Sequence, residues 1–548
     1  MQRTVLPSSL VSCLAPWLLA GMLGVLCCRP LLAGQDVAGE PQAPDHRADA
    51  PADGSGQATL AFQRYPDAPS VTEHEVAIGP RTIRYRATAD TLTLVDADGT
   101  PQARIFYVAY TALGDPARDA GQAAGQDHRR ASGGDRPITF CFNGGPGSSS
   151  VWLHLGLFGP RRVRYADEAG HPGPPPYAVV PNAYSLLDKT DLVFIDPVST
   201  GYSRAEPGTS EKRYHGLESD LDAVAEFIRL YLTREGRWSS RKVIAGESYG
   251  TTRAAGLVQR LHARHGISVT GVVLISPVLE FQTIRFGPGN DLPYAMYLPS
   301  YTAVAHHHGV LPARWQEAPV ERAVAEAERF ALERYLPALL RGASLGQDEY
   351  EQVRATLAEL TGLSEALLDD ARLRVDQGRF CKWLLRERGQ TVGRLDGRFV
   401  GIDADDAGER PEYDASYEAI RSNYTEAMND YVRGQLGYRS DLPYEILASL
   451  WPWDYGSAGR DRYVSVADRL RDAMHRQPYM RVFVAMGSTD LATPFFAART
   501  TLNRLALFEG YRDRIVTATY PAGHMMYVHR PSLQRLKADL DAFYDALP

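Results

Sequence analysis

Six short runs, at 137–142, 192–196, 242–245, 271–275, 481–486 and 514–519, are largely apolar from end to end rather than at alternate positions. A strand with only one face in the core alternates, so a run without alternation belongs to a strand buried on both faces, as in a parallel sheet covered by helices. Helical periods fill the gaps between them, notably at 217–231 and 252–264, and the last apolar period, 531–547, closes the series. This pattern predicts an α/β fold with a mostly parallel central sheet flanked by helices. Ahead of it, the segments 73–78, 81–88, 91–95 and 103–110 do alternate, with Asp98-Gly99 as a hairpin turn, and read as antiparallel edge strands.

Two stretches interrupt the scheme. A polar, Gly-rich insert at 114–136 reads as a surface loop. Between 281 and 478 the strands stop, and Ala, Leu, Glu and Arg recur at helical spacing, followed by a Tyr- and Trp-rich stretch. We read 281–478 as an inserted, mainly helical cap over the sheet's catalytic end. That divides the core into 58–280 and 479–548. The first 33 residues carry Arg3, a long apolar run and Ala33-Gly34, the form of a secretory signal peptide cleaved after Ala33; an uncleaved anchor is the alternative. Residues 34–57 are Gly, Ala, Pro and Asp with almost no large apolar side chain, as in a disordered linker. Beyond the signal only Cys141 and Cys381 remain, which leaves room for one disulfide and not a framework.

The chemistry centres on Gly246-Glu247-Ser248-Tyr249-Gly250, between the strand at 242–245 and a helical period. In G-x-S-x-G, the small flanking residues let the chain reverse sharply and leave a strained serine at the strand's end. A serine hydroxyl is a weak nucleophile that needs a base, itself oriented by a carboxylate. In this kind of fold those partners follow in the order Asp, then His. Asp490 sits in the turn beyond one apolar run and His524, after Gly523, beyond the next. Ser248 would attack, His524 would carry the proton, and Asp490 would hold the imidazole. His529 competes with His524 but lies in the approach to the final helix. One oxyanion donor is expected from the Tyr249 N–H, and the other from the loop Asn143-Gly144-Gly145-Pro146-Gly147-Ser148-Ser149-Ser150. That loop lacks the lysine of a phosphate loop.

These residues, with Asp196-Pro197-Val198-Ser199-Thr200-Gly201-Tyr202-Ser203, resemble the serine carboxypeptidase family, peptidases of the α/β-hydrolase fold. The resemblance runs from about Phe62 to the C-terminus. It implies Gly145 and Tyr249 as the oxyanion donors, and Asn143, Gly144 and Glu247 as the holders of the substrate's terminal carboxylate. A carboxyl group bonds a carboxylate only when a proton is shared, so such a site favours acidic pH. Two positions depart from the family pattern. Cys141 stands where a tryptophan is usual, and Leu157 stands where an acidic residue would complete the carboxylate clamp. Arg161, Arg162 or Arg253 are substitutes for it, or else solvated surface residues.

The 548 residues are 44% hydrophobic and 23% charged, an ordinary globular balance; with a net charge of −7 and no long basic run, nothing points to nucleic acid or an anionic membrane. Asp403-Ala404-Asp405-Asp406 begins like a calcium loop but has no Glu at the twelfth place, and His306-His307-His308, read as a solvated loop, cannot all face one ion from a helix. No metal and no organic cofactor is expected. The expected function is that of an exported serine carboxypeptidase acting on peptides through an acyl-enzyme. An esterase or acyltransferase on the same machinery, or a noncatalytic binding protein, are the alternatives.

Overall fold

All six apolar runs are strands of one sheet. In the computed structural model, which describes residues 62–113 and 136–548, the main strands are β1 (Ser70–Ile78), β2 (Arg81–Val95), β3 (Pro101–Ala112), β4 (Ile138–Phe142), β5 (Asp191–Ile195), β6 (Lys242–Glu247), β7 (Gly271–Ile275), β8 (Arg481–Gly487) and β9 (Ile515–Tyr520). The signal peptide, the linker and nearly all of the polar insert lie outside the described residues. The segments 81–88 and 91–95, read as two strands, are the single 15-residue strand β2. Asp90 between them carries no turn residue on either side, so nothing ends the strand there.

The strand order is β1-β2-β3-β5-β4-β6-β7-β8-β9. Pairing is antiparallel from β1 through β5 and parallel from β5 to β9. This is the α/β-hydrolase arrangement, with β5 inserted beside β3 so that β4 has its successors on both sides. Ligands in open parallel sheets sit at the strands' C-terminal edge near such a switch. The register aligns that edge: Phe142 faces Gly246, Glu247 faces Ile275, Ile275 faces Ala485, and Gly487 faces Tyr520. Loops leaving β4, β6, β8 and β9 therefore start at nearly one level.

Successive residues of the parallel strands β4, β6, β7 and β8 enter different cores, whereas β9, at the sheet's edge, is half-exposed and departs from the expected two-sided burial. Phe140, Ile244, Leu274 and Val484 belong to one buried cluster, and Cys141, Ala245, Val273 and Phe483 to another. That is why these strands show no alternation. Helices α1 (Leu217–Arg234) and α2 (Tyr249–His265) cover the first face, and the last helix, Arg530–Asp545, covers the second. Cys141 and Cys381 are both buried free thiols, so the one permitted disulfide does not form. They lie in β4 and in the helix Gln377–Trp383.

Between β7 and β8 the main sheet gains no strand. That stretch holds α3 (Leu292–His307), the helices Val320–Phe330 and Gln347–Thr361, and α4 (Ala415–Asp430). Met296, Phe330 and Leu357 merge into the first cluster, so this region shares its core with the sheet. Among the described residues no helix is long and apolar enough to cross a membrane.

Candidate active site

The chain reverses at Ser248, which joins β6 to α2 with φ 59° and ψ −130°, a backbone region unfavourable for a side-chain-bearing residue. Its N–H donates to the Ile275 carbonyl (3.0 Å), pinning the turn to the end of β7. Ser248 is partly exposed while Glu247 and Tyr249 on either side are buried. Two glycines make the turn possible by close approach. A Cβ on Gly246 would lie 2.2 Å from the Gly250 carbonyl oxygen, and one on Gly144 would lie 2.4 Å from the Tyr249 nitrogen. The Gly-rich loop is thus seated against the first turn of α2. The Tyr249 N–H is a first-turn donor with no acceptor inside its helix, and the Gly145 N–H has no hydrogen-bond partner among the described residues.

Asp490 and His524 meet beyond β8 and β9. His524 Nδ1 lies 2.7 Å from Asp490 Oδ2, with both side chains buried. Asp490 Oδ1 accepts from the N–H groups of Ala492 (2.7 Å) and Thr493 (2.9 Å), and Thr493 Oγ1 donates to Oδ2 (2.8 Å). The carboxylate is therefore fixed by its own turn. Burial by itself would lower the His524 imidazole, but the Asp490 carboxylate outweighs it and leaves the ring above its ordinary value. The Ser248 hydroxyl forms no hydrogen bond to His524 among the described residues; such contacts tighten when substrate binds. His529 is not in this group: its Nδ1 pairs with Ser532 Oγ (2.8 Å) at the start of the last helix.

Glu247, Asn143 and Gly144 converge on the same edge. Asn143 Nδ2 donates to Glu247 Oε1 (2.9 Å), and the Tyr527 hydroxyl donates to Oε2 (2.6 Å). Burial pushes the Glu247 carboxyl up to about 7, partly opposed by His524 and by these two donors. Tyr527 was not anticipated. It lies three residues after His524, which would have placed it in the right loop, but nothing in the sequence says that its hydroxyl reaches back to the elbow. Its ring also lines a cavity of about 440 Å³ together with Arg162, Arg164, Tyr165 and Arg530.

Residues 128–314 match the model of the serine carboxypeptidase family. Over this segment the chain is similar to the serine carboxypeptidase family. Serine carboxypeptidase-like 36 of Arabidopsis thaliana is 27% identical over 153 residues, which is 27% of this chain; the match spans 30% of that relative's length. Among solved structures, the chain is similar to Kex1(delta)p, a prohormone-processing carboxypeptidase from Saccharomyces cerevisiae (TM-score 0.47, 15% identity, 84% of this chain and 91% of that one). It is similar also to a proline iminopeptidase from Mycobacterium smegmatis (TM-score 0.30, 13% identity, 86% and 98%).

Against the serine carboxypeptidase pattern, Leu157 and Cys141 are both fully buried and neither offers a carboxylate ligand. Arg253 is no surface residue and no free clamp. It is 1% exposed, and its guanidinium holds Asp220 Oδ2 (2.7 Å) and the Asn143 carbonyl (2.6 Å), locking α2 to the Gly-rich loop. The Arg162 guanidinium makes a long hydrogen bond to the Val163 carbonyl (3.4 Å).

The region between β7 and β8 touches the Gly-rich loop, Tyr249 and the Asp490 and His524 loops. Ala448 N–H donates to Gly147 O (2.8 Å), and Trp453 Nε1 to the Tyr249 hydroxyl (3.0 Å). Leu491 N–H donates to Arg394 O (3.1 Å), and His524 N–H to Leu395 O (2.6 Å). The three histidines are not a loop: His306 and His307 end α3, and His306 and His308 bond the carbonyls of Ala318 and Gly397. Asp403 neutralises the buried Lys382 (2.6 Å). Among the described residues no cluster of acidic, histidine or cysteine side chains could hold a metal ion.

Proposed function

We propose that the chain is an exported serine carboxypeptidase that releases C-terminal residues from peptides through an acyl-enzyme. The observation that carries this reading is the closed Asp490–His524 pair beyond β8 and β9, on the same edge of the sheet as the strained Ser248 beyond β6. Ser248 Oγ attacks the scissile carbonyl carbon as His524 Nε2 takes its proton. Negative charge builds on the carbonyl oxygen between the N–H groups of Gly145 and Tyr249. Collapse breaks the C–N bond, and His524 returns the proton to the leaving amine. Water, deprotonated by His524, then cleaves the ester and restores Ser248. Asn143, Gly144 and Glu247 hold the terminal carboxylate of the leaving residue. Protonated Glu247 donates to it, so recognition of a free C-terminus weakens as pH rises through about 7. Export rests on the apolar N-terminal run ending at Ala33-Gly34. The region at 281–478 is the cap over this site.

A second reading, an esterase or acyltransferase, is favoured by one observation: Leu157 is apolar and buried, and the Glu247 carboxyl is engaged by Asn143 and Tyr527. Blocked dipeptides with a free C-terminal carboxylate or its amide, assayed across the carboxyl and imidazole titration range beside Ser248→Ala, separate the two. Ser248-dependent preference for the free acid is expected. Equal turnover of both, or cleavage of simple esters only, would overturn the carboxypeptidase reading.

A further inference from the structure

Asp396 belongs to the region between β7 and β8, is 4% exposed, and has each carboxyl oxygen bonded to a different catalytic loop. Oδ1 accepts from Thr489 Oγ1 (2.8 Å), and Oδ2 accepts from the Gly523 N–H (3.0 Å). Thr489 immediately precedes Asp490, and Gly523 immediately precedes His524. Around this carboxylate the backbone repeats the connection: Leu491 N–H to Arg394 O (3.1 Å), His524 N–H to Leu395 O (2.6 Å) and Gly397 N–H to Thr489 O (3.0 Å). A Cβ on Gly523 would fall 2.3 Å from Asp396 Cβ, so the residue before His524 has its side-chain space filled by Asp396.

The segment is itself braced from two sides. Arg398 neutralises Asp396 through Nη2 to Oδ2 (2.6 Å) and Nε to Oδ1 (3.0 Å). Ser416, in the first turn of α4, accepts from the N–H groups of Leu395 (2.9 Å) and Asp396 (3.1 Å) through its hydroxyl oxygen, and Asp414 Oδ1 accepts from the Arg394 N–H (2.9 Å). A purely local ion pair between residues 396 and 398 would need none of the contacts to 489 and 523.

We propose that Asp396 is a positioning residue that sets the spacing of the Asp490 and His524 loops, supplied by the inserted region and not by the sheet. This rests on the reading of Ser248, Asp490 and His524 as a triad. A carboxylate suits the task because both oxygens only accept, and the two loops present an O–H and an N–H. In Asp396→Asn the NH₂ group faces a donor of Arg398 at whichever oxygen position it takes, and on the Gly523 side it faces the N–H as well; only the Thr489 hydroxyl can turn to accept from it.

The test is the rate of Ser248 labelling by a fluorophosphonate, together with kcat and KM, for the wild type, Asp396→Asn, Asp490→Asn and the double variant. Asp396→Asn is expected to lower kcat and the labelling rate about 10- to 100-fold with KM changed by less than about threefold, the scale of a misplaced reacting group. In the Asp490→Asn background the same change should cost less than about threefold, because the pair being spaced is already broken. Thr489→Val, which removes one donor only, gives a smaller loss of the same kind if Asp396→Asn fails to fold. Wild-type labelling with a lowered melting temperature, or an equal loss in both backgrounds, would overturn the proposal and leave Asp396 a structural residue. Wild-type labelling of Asp490→Asn would instead overturn the triad reading beneath it.

Discussion

The sheet edge and the inserted region grip the same histidine from opposite sides. His524 accepts through its carbonyl from Ser276 Oγ, just beyond β7 (2.6 Å), and donates through its N–H to Leu395 O of the insertion (2.6 Å). The sheet sets where each loop begins, because the parallel register leaves no freedom at Gly487 and Tyr520. The insertion adds contacts to both loops further along, through Arg394, Leu395, Asp396 and Gly397. The difference teaches that residues supplied by the sheet's edge can be held in place by a region far away in the chain.

The largest effects should fall on the sheet's side of this comparison. Ser248→Ala is expected to abolish turnover and labelling, a loss of about 10⁶-fold in kcat. Asp490→Asn should cost about 10⁴-fold by leaving the imidazole in the wrong tautomer, read from kcat for a peptide substrate. Equal losses for Asp396 and Asp490 variants would erase the distinction between reacting and spacing groups. Next comes Arg253→Leu, which leaves Asp220 buried without its partner and frees the Asn143 carbonyl. It should lower stability by about 3–5 kcal/mol, measured from the denaturant midpoint at unchanged slope. On the insertion's side, Trp453→Phe removes one hydrogen bond to the Tyr249 hydroxyl and should cost about 1 kcal/mol by the same measurement.

Glu247 sharpens the comparison by pH. Its folded carboxyl is raised to about 7, above an unfolded value near ~4.3. The folded state therefore binds more protons between these values, and this group's contribution to stability is present below the unfolded value and is lost as pH rises toward 7. KM for free-acid peptides should rise over the upper part of that window, whereas KM for amidated peptides should not. Glu247→Gln should flatten both dependences, checked by urea midpoints and KM against pH. His524, raised by Asp490, should set the acid limb of kcat for both substrates.

Much of the sheet's side was legible. β4 to β8 were visible as runs without alternation because burial on both faces removes the polar positions; β9, expected to be buried in the same way, is the sheet's edge strand and only Tyr520 at its end is fully buried. Ser248, Asp490 and His524 were visible because a strand end followed by a turn residue is a local signal. Asp396 and Tyr527 were not: each acts on residues far away in sequence, and a lone Asp or Tyr in a loop has no period to betray it. Arg253 was misread for a related reason, since its position on α2 says nothing of Asp220 one helix away. Cys141 and Cys381 could have paired on composition alone, but folding buries them in different clusters and both are free thiols.

By itself the sequence determined the parallel sheet, the serine elbow and the chain order of the proposed triad, because local patterning and chain order carry that information. Only the tertiary structure decided what surrounds them: that Glu247 is held by Tyr527, that Arg253 is sealed under the Gly-rich loop, and that a buried aspartate of the insertion joins the Asp490 and His524 loops. The physical reason is distance along the chain. A hydrogen bond between residues 396 and 523 becomes specific only when folding has brought both to the same edge and excluded the water that would otherwise compete for them.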